Sequence, residues 1–286
     1  MIFGLSLVVV VFAGLKLFEI YRDYAAGTDV YSEAAKQFVQ MVESKLDSSG
    51  QIDETAGLHG TSADGQNKQS GQAKKQIIPT MDPDQVPINI NFAAMKSQCP
   101  DVVGWLYCAD TPINYPVVQS GDNDYYLYRL MDGTENKNGT IFMDFRNDAE
   151  FGDWNHLIYG HNMKNGAMFG SLTDYMEQEF YERHPFWFLL TEEKNYRIDL
   201  VGGYVTPDGS EAYALPKDTA GRDALFQMAS RSSVFDADVE LMPDDRLITM
   251  STCVYDYEDA RFVLVGVLRE VGMTETEAVD NGMADG

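Results

Sequence analysis

Leu247-Ile248-Thr249-Met250-Ser251-Thr252-Cys253, a polar stretch over 254–260, and Arg261-Phe262-Val263-Leu264-Val265 read as strand, short loop, strand. A hairpin of that kind brings the end of its first strand beside the start of its second. Cys253 and Arg261 are therefore expected to be neighbours. Ser251 shares the strand face of Cys253, because side chains alternate with period two. A thiol beside a guanidinium has a chemical use. The cation favours the thiolate, and it can hold the oxyanion formed when the thiolate attacks a carbonyl. A buried cysteine and a surface arginine with no chemistry between them is the competing reading.

Working outward, Leu157-Ile158-Tyr159-Gly160-His161-Asn162-Met163 is an apolar strand that ends at a glycine, with His161 where the strand meets a loop. Catalytic side chains are often carried on loops held by a rigid scaffold. His156 precedes His161 by five residues. On a continuous strand that odd spacing puts the two on opposite faces, which argues against a shared metal site. No Cys-x-x-Cys pair exists in the sequence, and neither a metal nor a cofactor is expected. His59 and His184 are expected to have no chemical role. Cys99 and Cys108 are close enough in sequence for a bridge, the alternative being two small buried thiols.

The folded domain is expected over 86–271. Strand-like runs fall at 103–107, 113–118, 140–144, 156–159, 196–205, 246–253 and 261–271. Pro116 makes the second of these an edge or bulged strand. Helices are expected after Asn91 up to Pro100, at 125–131 capped by Asp122 or Asn123, at 169–181 and at 218–230. Many strands without regular alternation with helices point to a mainly β barrel or sandwich with inserted helices.

Residues 2–15 are an apolar run that continues to residue 20 if Lys16 snorkels. It approaches the roughly 20 residues that span a bilayer. Residues 1–20 are read as a transmembrane anchor or signal-anchor; a secretory signal peptide, whose apolar core is shorter, is the competing reading. Lys16 and Arg22 lie on its C-terminal side, a charge bias that by itself would put that side inside. Residues 21–46 are expected to form a juxtamembrane helix and 47–85 a flexible linker. The part from 47 to 76, rich in Ser, Gly, Gln, Asp and Lys, has an end-to-end distance of about 30 Å. Residues 272–286 read as a disordered acidic tail. Lys and Arg number 21 against 45 Asp and Glu, a net charge of −24. Such a surface repels polyanions, so no nucleic-acid partner is expected.

Tyr159-Gly160-His161-Asn162-Met163, then Thr249-x-Ser-Thr-Cys253, then Arg261 resemble the signature of sortases, the cysteine transpeptidases of Gram-positive surfaces. Gly104-Trp105-Leu106, Ile113-Asn114-Tyr115-Pro116-Val117-Val118-Gln119, Asp122-Asn123-Asp124-Tyr125-Tyr126-Leu127 and Met168-Phe169-Gly170 resemble the class B subfamily. Met250 stands where the family usually has leucine. The likeness runs over about 91–268.

The resemblance implies an eight-stranded sortase-type β-barrel with N-terminal helices and inserted helices, one of them before the cysteine strand. It implies that Cys253 attacks the threonine carbonyl of a C-terminal sorting signal on a secreted protein, that His161 exchanges protons with the amines, and that Arg261 holds the carbonyl oxygen. Ser251 would help position the substrate. The acceptor implied is an amine of a peptidoglycan precursor, or a pilin amine in a polymerising relative. The enzyme would sit in the cell membrane as a single-pass protein with its catalytic domain outside. An L,D-transpeptidase is the nearest enzymatic rival, but it would want His and Gly directly before the cysteine, where this chain has Ser251-Thr252. A non-catalytic, membrane-tethered peptide-binding module is the non-enzymatic one.

Overall fold

The hairpin forms as the sequence predicts. Numbered in chain order, β9 (Arg246–Cys253) and β10 (Ala260–Val271) pair antiparallel, with Arg261 directly opposite Cys253. The structure, a computed structural model, describes residues 2–42, 82–83 and 85–272, apart from the side chains of 2–10 and 20.

β10 is apolar on both faces because both faces are covered. Phe262 and Leu264 pack inward with Ile248 and Met250. Val263, Val265 and Val267 point the other way, into a layer with Leu225, Phe226 and Ala229 of α4 (Thr219–Ser232). The Asp218 side chain caps that helix by accepting from Gly221 N at 2.8 Å.

The remaining strands are β3 (Val102–Tyr107), β4 (Asn114–Val118), β5 (Ile141–Met143), β6 (Asn155–Tyr159), β7 (Phe186–Leu190) and β8 (Asn195–Pro207). Together they close a barrel of eight strands in the order β10-β8-β7-β3-β4-β5-β6-β9. Two of its pairings, β4 with β5 and β6 with β9, are parallel. The second of these lays the ends of two distant segments side by side.

Several expectations change. Pro116 is on neither an edge strand nor a bulge of its own: β4 lies between β3 and β5, and the register shift falls on β3 between Val102 and Gly104. Pro116 is tolerated because the pairing of β4 with β5 begins only at Val117. The helix expected at 169–181 is split. A 3-10 turn runs over Gly170–Met176, Glu177 is extended, and α3 covers Gln178–Arg183. Leu172 and Tyr175, both buried, are three apart, which is the period of a 3-10 turn. At 125–131 a single 3-10 turn forms, Tyr125–Tyr128, with the Asp122 carboxylate accepting from the N–H groups of Asp124 and Tyr125. β7 was not expected at all.

The N-terminal half-helix and linker are also rearranged. α1 is one helix over Ile2–Phe38, and the helix expected over 21–46 gives way there to β1 (Val39–Met41). β1 pairs antiparallel with β2 (Ile88–Ile90), Met41 opposite Ile88, and Val42 N donates to the Pro87 carbonyl at 2.9 Å. The flanks of the 47–76 stretch are thus tied to each other, so that stretch does not set the reach of the domain. The C-terminal part of α1 does: Tyr31, Ala34 and Phe38 are buried in the core, the last two with Met95 of α2 (Phe92–Gln98).

Residues 43–81 and 273–286, which include His59 and most of the expected linker and tail, lie outside the described residues. The expected anchor over 1–20 falls largely on side chains outside them too. Among the described residues no helix is long and apolar enough to cross a membrane.

Candidate active site

Cys253 and Arg261 are brought together by the hairpin register, at the mouth of the barrel. His161 arrives from the other side of β9. β6 runs parallel to β9 with Tyr159 opposite Ser251. Continuing both chains by two residues sets His161 level with Cys253. Hydrogen bonds on either side of the histidine fasten that alignment. Gly160 N donates to the Ser251 carbonyl at 3.2 Å, and the Thr252 hydroxyl donates to the Gly160 carbonyl at 2.8 Å. Asn162 Nδ2 donates to the Cys253 carbonyl at 2.8 Å. Gly160 is required here, since a Cβ would lie 2.5 Å from Ile141 Cδ1 and 2.7 Å from the Phe169 ring.

The imidazole is held by a main-chain group. His161 Nε2 lies 2.6 Å from the Leu127 carbonyl oxygen, and its ring packs against Tyr128 with centroids 5.5 Å apart. A carbonyl oxygen only accepts, so Nε2 carries the proton and Nδ1 is the nitrogen left for proton exchange. Burial lowers the pKa of the imidazole, and the Leu127 carbonyl partly offsets this by favouring the charged ring.

Arg261 is partly buried. Its Nη1 donates to the Ala260 carbonyl at 3.2 Å and its Nη2 to Asp208 at 3.3 Å. Asp208 is well exposed, so this ion pair orients the guanidinium more than it stabilises the fold. The rest of the guanidinium's donors remain for a substrate oxygen.

Ser251, on the Cys253 face, is buried with its hydroxyl 2.7 Å from that of Tyr213. Burial pushes the Tyr213 phenol up to about 12, against a partial lowering by the Ser251 hydrogen bond; Asp208, Arg261 and Cys253 act on it through their charges. Tyr213 is thus hydrogen-bonded to Ser251, on the strand face of Cys253. It stacks on Tyr159 at 6.3 Å, and Asn155 Nδ2 pins the next residue by donating to the Ala214 carbonyl at 2.9 Å. Tyr159 in turn donates to Asp144 at 2.9 Å. Burial alone would raise the Asp144 carboxyl, but hydrogen bonds from Arg146, Asn123 and Tyr159 outweigh it and hold the group at about 2. Asn123, Arg146, Tyr159, Ser210 and Tyr213 line an open groove that also takes in Asp208, the ion-pair partner of Arg261.

The three residues read from sequence as catalytic, and Ser251, therefore share one end of the barrel. Tyr213 and the Leu127 carbonyl were not foreseen. Tyr213 lies in a short 3-10 turn, Glu211–Tyr213, with no periodic pattern around it, and a carbonyl held in place by the fold has no sequence signature. His156, by contrast, is fully buried with Nδ1 donating to the Leu247 carbonyl at 3.0 Å. His184 is buried, and its carbonyl accepts from Tyr175. Cys99 and Cys108 are separate buried thiols: Cys99 lies 3.7 Å from the Tyr126 hydroxyl and Cys108 3.9 Å from the Phe186 carbonyl. Among the described residues no cluster of His, Cys, Asp or Glu has the makings of a metal site.

No protein-family model matches the chain. Its sequence is 40% identical over 174 residues to sortase B of Listeria monocytogenes, a match that takes in 59% of this chain and 70% of that protein. It is 31% identical over 209 residues to sortase B of Staphylococcus aureus, covering 72% of this chain and 84% of the relative. Among solved structures it is similar to the Staphylococcus aureus sortase B–substrate complex, with a TM-score of 0.60 and 30% identity over 63% of this chain and 85% of that one. The barrel is similar in fold to the solved sortase B, and the chain belongs to the class B sortases, which are cysteine transpeptidases.

Proposed function

We propose that this sortase cleaves a C-terminal sorting signal after its threonine and transfers the new carboxyl end to an amine of the cell wall. The Cys253 thiolate attacks the threonine carbonyl carbon, and Arg261 donates to the oxygen as it becomes anionic. The C–N bond then breaks, His161 Nδ1 gives its proton to the departing amine, and a thioester to Cys253 remains. An acceptor amine attacks that thioester, His161 takes the amine's proton, and the thiolate leaves. Atoms and protons balance over the cycle, and no cofactor is needed.

The observation that supports this reading is the register. Two different pairings of β9, antiparallel with β10 and parallel with β6, converge on Cys253 and bring Arg261 and His161 to its two sides. Burial lowers the His161 pKa, so the protonated ring, and with it the ion pair, is a minor form at neutral pH; thiolate is nucleophilic enough to act from a small population. A waiting thioester needs protection from water, which the stacked Tyr159 and Tyr213 rings would supply once a peptide fills the groove. The relative solved as a substrate complex binds a substrate by its own description, and the groove lined by Asn123, Tyr159 and Tyr213 is where a sorting peptide would lie in this chain.

The same proposal places the enzyme at the cell surface. The apolar run over 2–15 inserts in the membrane, and α1 carries the catalytic domain outward from it. From Leu17 to Tyr31 the helix rises about 20 Å. A peptide-library cleavage assay with a short amine acceptor tests the whole reading. Cleavage after threonine, with the amine joined to the new end, is the expected result; products cut elsewhere, or never joined to amine, would contradict it.

A further inference from the structure

α1 reaches the candidate active site by two routes that meet at one side chain. Tyr31 is buried, and its hydroxyl donates to the Gly139 carbonyl at 2.6 Å and lies 2.8 Å from the Thr140 hydroxyl. Thr140 carries the first route onward. Its N–H donates to the Tyr126 carbonyl at 3.0 Å and its hydroxyl to the Arg129 carbonyl at 2.7 Å. Those two bonds clamp the segment whose Leu127 carbonyl grips His161 Nε2. Gly139 sits flush against the same carbonyl: with φ at +58°, a Cβ there would be 2.5 Å from the Leu127 oxygen.

The second route leaves from the ring. Tyr31 packs edge-on against Tyr115, with centroids 5.6 Å apart. The Tyr115 hydroxyl accepts from Met168 N at 3.1 Å, and the next residue, Phe169, donates its N–H to the His161 carbonyl at 3.0 Å. One route thus ends on the imidazole and the other on the main chain of the same histidine.

We infer that Tyr31 of α1 is a positioning residue for His161, so that the seating of the N-terminal helix on the barrel sets the aim of the proton-transfer group. The inference rests on the transpeptidase reading for its effect on rate, though not for its effect on the imidazole itself. With the hydroxyl gone, Gly139 and Thr140 lose their shared partner, and the Leu127 carbonyl is less firmly held against Nε2. That carbonyl favours the charged ring, so a looser hold lowers the imidazole pKa.

The test compares the parent with Tyr31→Phe, which keeps the ring and its packing. Turnover of a sorting-signal peptide is measured with an amine acceptor, and the His161 ring is titrated by NMR. The expected kcat falls about five- to tenfold, the size of one lost hydrogen bond felt in the transition state, with KM changed by less than about twofold. The His161 midpoint moves to lower pH. Gly139→Ala, which presses on the Leu127 carbonyl and leaves the Tyr31 side chain itself unchanged, should shift kcat and midpoint in the same direction. Phe38→Leu, a core change elsewhere on α1, should lower stability and leave both readings alone. A Tyr31→Phe protein with parental kcat and midpoint overturns the inference. So does a fall in activity that Phe38→Leu reproduces with the midpoint unmoved, since the tyrosine would then be structural only. Failure of the parent to cleave any peptide would sink the transpeptidase reading instead, and the NMR midpoint would still decide the role of Tyr31.

Discussion

Cys253 and Arg261 face each other across one hairpin yet should fail in different ways when replaced. Cys253→Ala removes the atom that bonds to the substrate, and peptide cleavage should fall by about 10³-fold or more. Arg261→Ala leaves the nucleophile and removes the charge that meets the oxyanion, a loss of about 10²- to 10³-fold, mostly in kcat. Arg261→Lys should recover little of it, because an ammonium cannot bond Asp208 and a substrate oxygen from one planar fork. Full activity of the lysine variant in a peptide cleavage assay would show that charge alone suffices. At this scale the sequence is informative where a reactive side chain lies at or beside a strand end. Cys253 ends β9, Arg261 stands at the start of β10 and His161 lies two residues past the end of β6, and strand ends can be read from apolar alternation. Tyr213 and the Leu127 carbonyl are brought in by loops that cross from other parts of the barrel, and nothing local announces them.

Among the elements, α4 is the one most directly tied to a local signal. Asp218 caps it, and its apolar side covers the outer face of β10 behind the cysteine hairpin. Asp218→Ala should cost about 1 kcal/mol, read as a lower midpoint in urea unfolding, with little change in peptide turnover. A loss of activity larger than the loss of stability would mean that α4 touches the site in a way its contacts do not explain. The helix at 218–230, the Asn91 cap on α2 and the strand β9 were all legible, though Asp218 caps α4 rather than opening it. β7 was not: Phe186-Trp187-Phe188-Leu189-Leu190 is apolar at every position because both its faces are buried, and such a run lacks the alternation that marks a strand. β1 and β2 were hidden for another reason. Each is three residues long, and they pair across the 47–76 stretch, a long-range contact that composition cannot reveal.

The whole molecule should be sensitive to acid through a residue far from the chemistry. His156 is fully buried in the barrel, beside Phe151, and burial holds its pKa down at about 4. In the unfolded chain the ring titrates near 6.5. Because the folded value is the lower one, the stability linked to His156 is complete above about pH 6.5 and is lost as pH falls toward 4. The shift corresponds to ~3 kcal/mol. Thermal unfolding of the parent should therefore lose more stability between pH 6.5 and 4.5 than that of His156→Gln. Parallel pH curves for the two proteins would contradict this. The comparison is needed because the chain's net charge of −24 also changes over that range. The barrel itself was within reach of the sequence, from many short strands and the family likeness. Its closure was not, since the parallel pairing of β6 with β9 joins segments some ninety residues apart.

Most direct of all is the mass of the enzyme during turnover. Incubated with a sorting-signal peptide and no acceptor, the protein should gain the mass of the peptide portion up to and including threonine. Digestion should locate that mass on Cys253, and hydroxylamine or an added amine should release it. A peptide that is cleaved with no adduct on Cys253, or an adduct found on Cys99 or Cys108 instead, would contradict the thioacyl mechanism.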